Sequence, residues 1–214
     1  MTPNEISMII ATPLDKQFDD PFKLIIMKLV DVWRARLIRN SLEKAPQDRK
    51  FFRQTLYMRT KVVDETICNL TGCEIVETID ALPMSIRANN MMYDFVGAVN
   101  STTAYQQVYS GTLEYVLQEE YNKAPLFMVE NGKLRIYRAK PPVIKVETIF
   151  PDPQLVARMS CANGVNCDYW NSNYPVPEDI LQTIIQGIRE VDFKGGVVPA
   201  DIEIPVVNNP ANAQ

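Results

Sequence analysis

The sequence predicts an α+β protein in which a long N-terminal helix and a C-terminal helix pack with an antiparallel β-sheet region, followed by an extended C-terminal arm. Three observations predict it. Apolar residues recur at helical spacing towards both ends of the chain, strand-like runs fill the middle, and one pair of runs is joined by Asn131-Gly132, the dipeptide that tight hairpin turns prefer. At 214 residues and 46% hydrophobic content, the chain is long enough to bury a core in one domain. Fifteen prolines against eight glycines point to many fixed turns and sharp helix starts.

Thr2-Pro3 followed by Glu5 predicts a short first helix, with Ile6, Ile9 and Ile10 as its apolar stripe and Pro13 as its end. Asp19-Asp20-Pro21 opens a stronger helix: an aspartate cap, a proline in the first turn, and negative charge at the positive end of the dipole. It is expected over 21–43, with Phe22, Ile25, Ile26, Leu29, Trp33, Leu37 and Ile38 as its apolar positions. Arg34, Arg36, Arg39 and Lys44 crowd its C-terminal half, where the dipole favours cations. They read either as a solvated face or as a contact to an acidic partner subunit.

After Ala45-Pro46, residues 49–53 read as one further helical turn and 54–63 as a strand. Residues 74–79 and 92–99 are further strands, with Leu82-Pro83-Met84 as a strand boundary between them. Segment 112–121 fits helix or strand, because Leu113, Val116, Leu117 and Tyr121 have helical spacing while its aromatics suit a strand. Residues 126–130 and 133–138 are the two arms of the hairpin. A strand over 142–150 ends at Pro151-Asp152-Pro153, and a short helix follows over 155–159. Tyr174-Pro175-Val176-Pro177-Glu178-Asp179 opens the last helix, whose buried stripe is Ile180, Leu181, Ile184, Ile185 and Ile188. Beyond Val191 come Gly195-Gly196, three prolines and an Asn-rich end, with short apolar pieces at Ile202, Ile204, Val206 and Val207. The domain organisation is therefore an N-terminal arm with a short helix over 1–20, one core domain over 21–190, and an extended arm over 191–214.

Histidine is absent from the whole chain, which removes the commonest general base and with it Ser-His-Asp, Cys-His and His-rich metal sites. No Gly-rich phosphate loop is present. The cysteines form two pairs, Cys68 with Cys73 and Cys161 with Cys167, separated by four and five residues where zinc knuckles place two. Reduced structural thiols are the expectation. Glu119-Glu120 and Asp19-Asp20 could serve a hydrolase only at a fixed separation, and adjacent carboxylates are usually surface or capping groups. Tyr169-Trp170 and Tyr174 could stack a base or a sugar, but such aromatics more often fill a core edge or an interface. No catalytic residue, cofactor or metal is expected.

A net charge of -4 argues against affinity gained by neutralising phosphates, although DNA could pass an acidic wall. The first twenty residues carry Glu5, Asp15, Lys16, Asp19, Asp20 and two prolines, unlike a signal peptide, so synthesis and assembly in the cytoplasm are expected. Leu24-Ile25-Ile26-Met27, the longest apolar cluster, is far short of the roughly twenty residues that cross a bilayer.

Taken in order, several segments resemble the structural proteins that form neck rings in podovirus-type and crAss-like tailed phages. They are Trp33-Arg34-Ala35-Arg36-Leu37-Ile38-Arg39, Phe51-Phe52-Arg53-Gln54, Leu82-Pro83-Met84-Ser85-Ile86-Arg87 and Tyr93-Asp94-Phe95-Val96-Gly97. The hairpin at Asn131-Gly132, Ile149-Phe150-Pro151-Asp152-Pro153 and the opening of the last helix complete the set. The resemblance implies a non-enzymatic subunit of a closed, twelvefold homo-oligomeric ring in the virion neck. It further implies docking on the portal protein and on the next ring or tail component, with genomic DNA passing the lumen without sequence-specific binding. No membrane partner is implied. Candidate subunit-interface residues are Trp33, Arg34, Arg36, Arg39, Tyr169, Trp170, Ile202, Ile204 and Val206. The first twenty residues and the C-terminal arm are expected to order on assembly. The competing readings are another virion component in the tail or capsid, a small sugar- or nucleic-acid-binding module, and a small enzyme using carboxylates or a thiol.

Overall fold

The structure is a computed structural model that describes residues 1–63, 75–87, 92–118, 123–162 and 168–193. Its first helix, α1 (Pro3–Ala11), starts with a full capping box: the Thr2 hydroxyl accepts from the Glu5 N–H, and the Glu5 carboxylate accepts from the Thr2 N–H. Ile6 and Ile10 are buried, so this segment, expected as an arm, packs within the chain itself. The amide of Tyr174 donates to the Met1 carbonyl and that of Asn4 to the Trp170 carbonyl, which ties the N-terminus to the loop before the last helix.

Helix α2 (Asp20–Lys44) is capped by Asp19, whose carboxylate accepts from the Phe22 N–H at 3.0 Å. Its buried row is Phe22, Ile26, Met27, Val30, Arg34, Ala35, Ile38 and Leu42. That row is rotated from the expected stripe, since Ile25, Leu29, Trp33 and Leu37 are only half-buried. No helix among the described residues is long and apolar enough to cross a membrane. Helix α6 (Glu178–Gly187) lies against α2, and a single π-helical turn, Ile188–Asp192, carries it past the expected boundary at 190. Together α1, α2, α6 and Phe193 enclose a helical core of Ile6, Ile10, Phe22, Ile26, Val30, Leu181, Ile184, Ile185 and Ile188.

A turn of helix, α3 (Arg49–Phe52), leads into β1 (Gln54–Val62), followed by β2 (Ile75–Thr78), β3 (Phe95–Ala98) and the two-residue β4 (Gln106–Gln107). Helix α4 (Ser110–Gln118) shows residues 112–118 of the ambiguous segment as helix, with Leu113, Val116 and Leu117 packing on a buried cluster of Leu126, Met128 and Tyr137; residues 119–121, with Tyr121, lie outside the described residues. Strands β5 (Leu126–Glu130), β6 (Lys133–Tyr137) and β7 (Val143–Thr148) and helix α5 (Pro153–Ala162) follow. The hairpin turn is as expected: Asn131 and Gly132 both have positive φ, 50° and 74°, the signature of a type I′ turn.

The strands form one curled sheet in the order β3-β7-β1-β2-β6-β5-β4. Strand β1 links its halves: Gln54 to Arg59 pair with β7, and Thr60 to Val62 pair with β2. Every pairing is antiparallel except β4 with β5. That exception follows from the connection, because α4 lies between the two strands and a helical crossover returns the chain in the same direction.

One face of the sheet is the second core, with Leu56, Met58, Val76, Val96, Phe127, Leu134, Ile136, Ile144 and Val146 alternating inwards. The other face divides. Helix α4 covers the β5 end, where the Arg138 guanidinium donates to the Val116 and Leu117 carbonyls near the helix C-terminus. The remainder carries Arg53, Arg59, Lys61, Lys133, Arg135 and Lys145 together with Glu77, Glu130 and Glu147.

Candidate functional site

Two arginines join the helical layer to the sheet. Arg34 has no exposed surface. Its guanidinium donates to the Phe150 carbonyl at 2.6 Å, the Pro175 carbonyl at 3.3 Å and the Gln54 side-chain oxygen at 3.3 Å. The Tyr174 ring lies 6.0 Å from it, and the Tyr174 hydroxyl donates to Asp31 at 2.5 Å. Burial pushes the Asp31 carboxyl up from 3.8 to about 7, against the hydrogen bond from Tyr174 and the charge of Arg34, with Asp152 adding to the rise. Arg49, the second joint, donates to Asp94 at 2.6 Å, to the Met92 carbonyl at 3.1 Å and to the Thr148 hydroxyl at 3.2 Å. Four chain segments meet on that one guanidinium, because Ile86 also offers its carbonyl.

The candidate interface residues thus separate. Arg34 belongs to the interior, where its donors satisfy carbonyls that the sheet and helices leave over. Tyr169 is also buried, edge-to-face with Trp170 at 5.9 Å, and Trp170 packs on the helical core, so neither offers an open stacking shelf. Trp33 is half-buried against α6, its indole N–H donating to Asp192 at 2.8 Å. Arg36 and Arg39 are exposed, and they share one outward row of α2 with Leu24, Lys28 and Val32. Leu24 and Val32, 44% and 66% exposed, were not among the expected interface residues. Their four-residue spacing with Lys28 and Arg36 was the available signal. Ile202, Ile204 and Val206 lie outside the described residues, as do Cys68, Cys73, Cys167 and Glu119-Glu120.

The remaining carboxylate pair is structural: Asp19 caps α2, and Asp20 pairs with Lys23 at 3.1 Å. Between the C-terminal half of α2, α3 and the start of α6 runs a groove of about 580 Å³ whose walls include Leu37, Phe51, Phe52 and Ile180.

The fit of Trp33 on α6 depends on Gly187. A Cβ there would stand 2.9 Å from two atoms of the indole, which is itself held by its bond to Asp192. Gly187→Ala is therefore expected to cost about 1–3 kcal/mol by overpacking, despite the higher helix propensity of alanine. Urea unfolding monitored by tryptophan fluorescence would measure it, and an unchanged or raised midpoint would contradict this packing.

The fold and its polar joints describe an α+β structural subunit, with its buried ionic groups spent on holding two layers together and an uncovered row on its longest helix. Residues 19–203 match the family model of phage tail ring protein 2 from crAss-like phages, and the chain belongs to that family. It is accordingly a structural ring protein of the virion. No curated protein matches the chain.

Proposed function

We propose that the chain is a non-enzymatic neck-ring subunit: a homo-oligomer, twelvefold by the resemblance above, that connects the portal to the tail and surrounds the DNA path. The observation that supports it best is the uncovered row of α2. Leu24 and Val32 stand exposed beside Lys28, Arg36 and Arg39 on a helix whose opposite side is fully committed to the core. A ring needs two different faces that close on each other, and a rigid 25-residue helix, about 37 Å long, offers one of them along its whole length. The chain beyond Phe193, with Ile202, Ile204 and Val206, supplies contact to the neighbouring subunit on this reading. Ile6 and Ile10 of the first helix do not need a neighbour to be buried, since α2 and α6 already cover them, whereas Ile9 stands exposed.

Electron microscopy of the purified chain, alone and mixed with the portal protein, tests the reading. Closed rings are expected, and Val32→Glu is expected to abolish them while leaving the thermal melt within a few degrees of the parent. A chain that stays monomeric in both settings would remove the proposal; rings that persist in Val32→Glu would place the interface elsewhere.

A further inference from the structure

The charged part of the sheet's outer face has more cations than its carboxylates require. Glu77 is held by Lys61 at 3.2 Å, Lys133 at 3.6 Å and Arg135 at 3.7 Å, and Glu147 by Arg53 and Lys145, each at 3.0 Å. Burial pushes the Glu77 carboxyl up, but the hydrogen bond from Lys61 and the charges of Lys133 and Arg135 hold it below its ordinary value. The glutamates therefore act as fixed anchors for cations that reach past them to solvent: the Lys61 side chain is 54% exposed and that of Arg53 44%. Among the described residues, six cations stand over three carboxylates on this face, an excess of three positive charges on a chain whose net charge is -4. The overall charge conceals that polarity.

We propose that this face meets the phosphate backbone of duplex DNA; that it is also the lumen wall rests on the ring reading. Two features favour a polyanion over an acidic protein. The cations lie in rows, about 5 Å apart across strands and about 7 Å along them, that follow the curl of the sheet from β7 to β6. The aromatics that share this part of the face, Phe95 and Tyr57, both flank Lys145, whose ammonium stands 4.5 Å from the Phe95 ring, so a cation occupies the centre where protein interfaces place apolar side chains. Arginine and lysine offering only donors to phosphates, with no side chain aimed into a groove, give contact without sequence preference. The intervening glutamates keep that contact weak, which suits a duplex that must slide past.

The full chain is titrated against a fluorescently labelled 30-base-pair duplex of random sequence, by anisotropy, between 50 and 200 mM KCl. Binding is expected, with log K falling against log salt at a slope of about -3, near -0.9 for each phosphate neutralised. Arg59→Gln combined with Lys61→Gln removes two exposed cations and is expected to flatten the slope by about 2; a thermal melt checks that the fold is kept. Lys16→Gln combined with Arg158→Gln, two exposed cations off this face, is expected to leave it unchanged. Absence of binding at 50 mM, or a slope that depends on this control pair instead of the sheet pair, would overturn the proposal. Microscopy of the same preparation separates the two readings: rings that do not bind duplex sink this face and leave the ring, whereas a monomer with the sheet-dependent slope keeps the face and removes the ring.

Discussion

Arg34→Ala is expected to lower the stability of the chain by about 3–5 kcal/mol, from buried acceptors left without a donor together with the space vacated by a large buried side chain. The substitution strips donors from the Phe150 and Pro175 carbonyls and from Gln54, and leaves the Phe150 carbonyl unpaired in a buried site. It also leaves a cavity where one of the largest fully buried side chains stood. For a chain of this size the melting temperature should fall by roughly 6–20 °C. Arg34→Lys should recover only part of the loss, since an ammonium on a shorter reach cannot serve three acceptors spread over a planar fork. A melting temperature within 2 °C of the parent for Arg34→Ala would show that this joint does not hold the layers.

Asp31→Asn is expected to do the opposite at neutral and alkaline pH. Folding raises the Asp31 pKa from 3.8 to about 7, so between those values the folded chain keeps a proton that the unfolded chain has released. Stability therefore falls as pH rises from about 4 to about 7 and is level above, and the full penalty at pH 8 is on the order of 4 kcal/mol. Asparagine does not ionise, yet its carbonyl oxygen can still accept from the Tyr174 hydroxyl, which now sits 2.5 Å from the carboxylate. Losing the attraction to Arg34 offsets part of the gain. Melting curves at pH 5, 6, 7 and 8 should show a higher melting temperature for Asp31→Asn at pH 8 and a flatter dependence below pH 7. A variant less stable than the parent at pH 8 would mean that Asp31 is ionised and serves chiefly as the partner of Arg34.

Most of the secondary structure was legible because its signals are local. The capping box at Thr2 and Glu5, the Asp19 cap, the Asn131-Gly132 turn and the alternation of β1 and β7 each depend on residues within a few positions of one another. The phase of α2 was not. Residues 22, 26, 30, 34, 38 and 42 form one continuous row at four-residue spacing, polar only at Arg34. Reading that arginine as exposed turned the predicted stripe towards Trp33 and Leu37. A lone arginine inside an apolar row marks a buried donor when its acceptors come from elsewhere, and here they lie at positions 54, 150 and 175. The same misreading hid the uncovered row of Leu24, Lys28, Val32 and Arg36 on the opposite side.

The sequence by itself determined the order of the elements, their caps and turns, the α+β class and, through its ordered segments, the resemblance to ring proteins that residues 19–203 bear out. Those features rest on short-range rules: helix ends need caps, hairpins need positive φ, and strands alternate. Only the tertiary structure decided which side of α2 is buried, that β4 pairs parallel to β5, that Arg34 and Arg49 join the layers, and that cations outnumber carboxylates among the described residues of one sheet face. Each of these depends on what lies across from a residue in space, and partners such as Arg34 and Phe150, 116 positions apart, are set by how the layers close on one another.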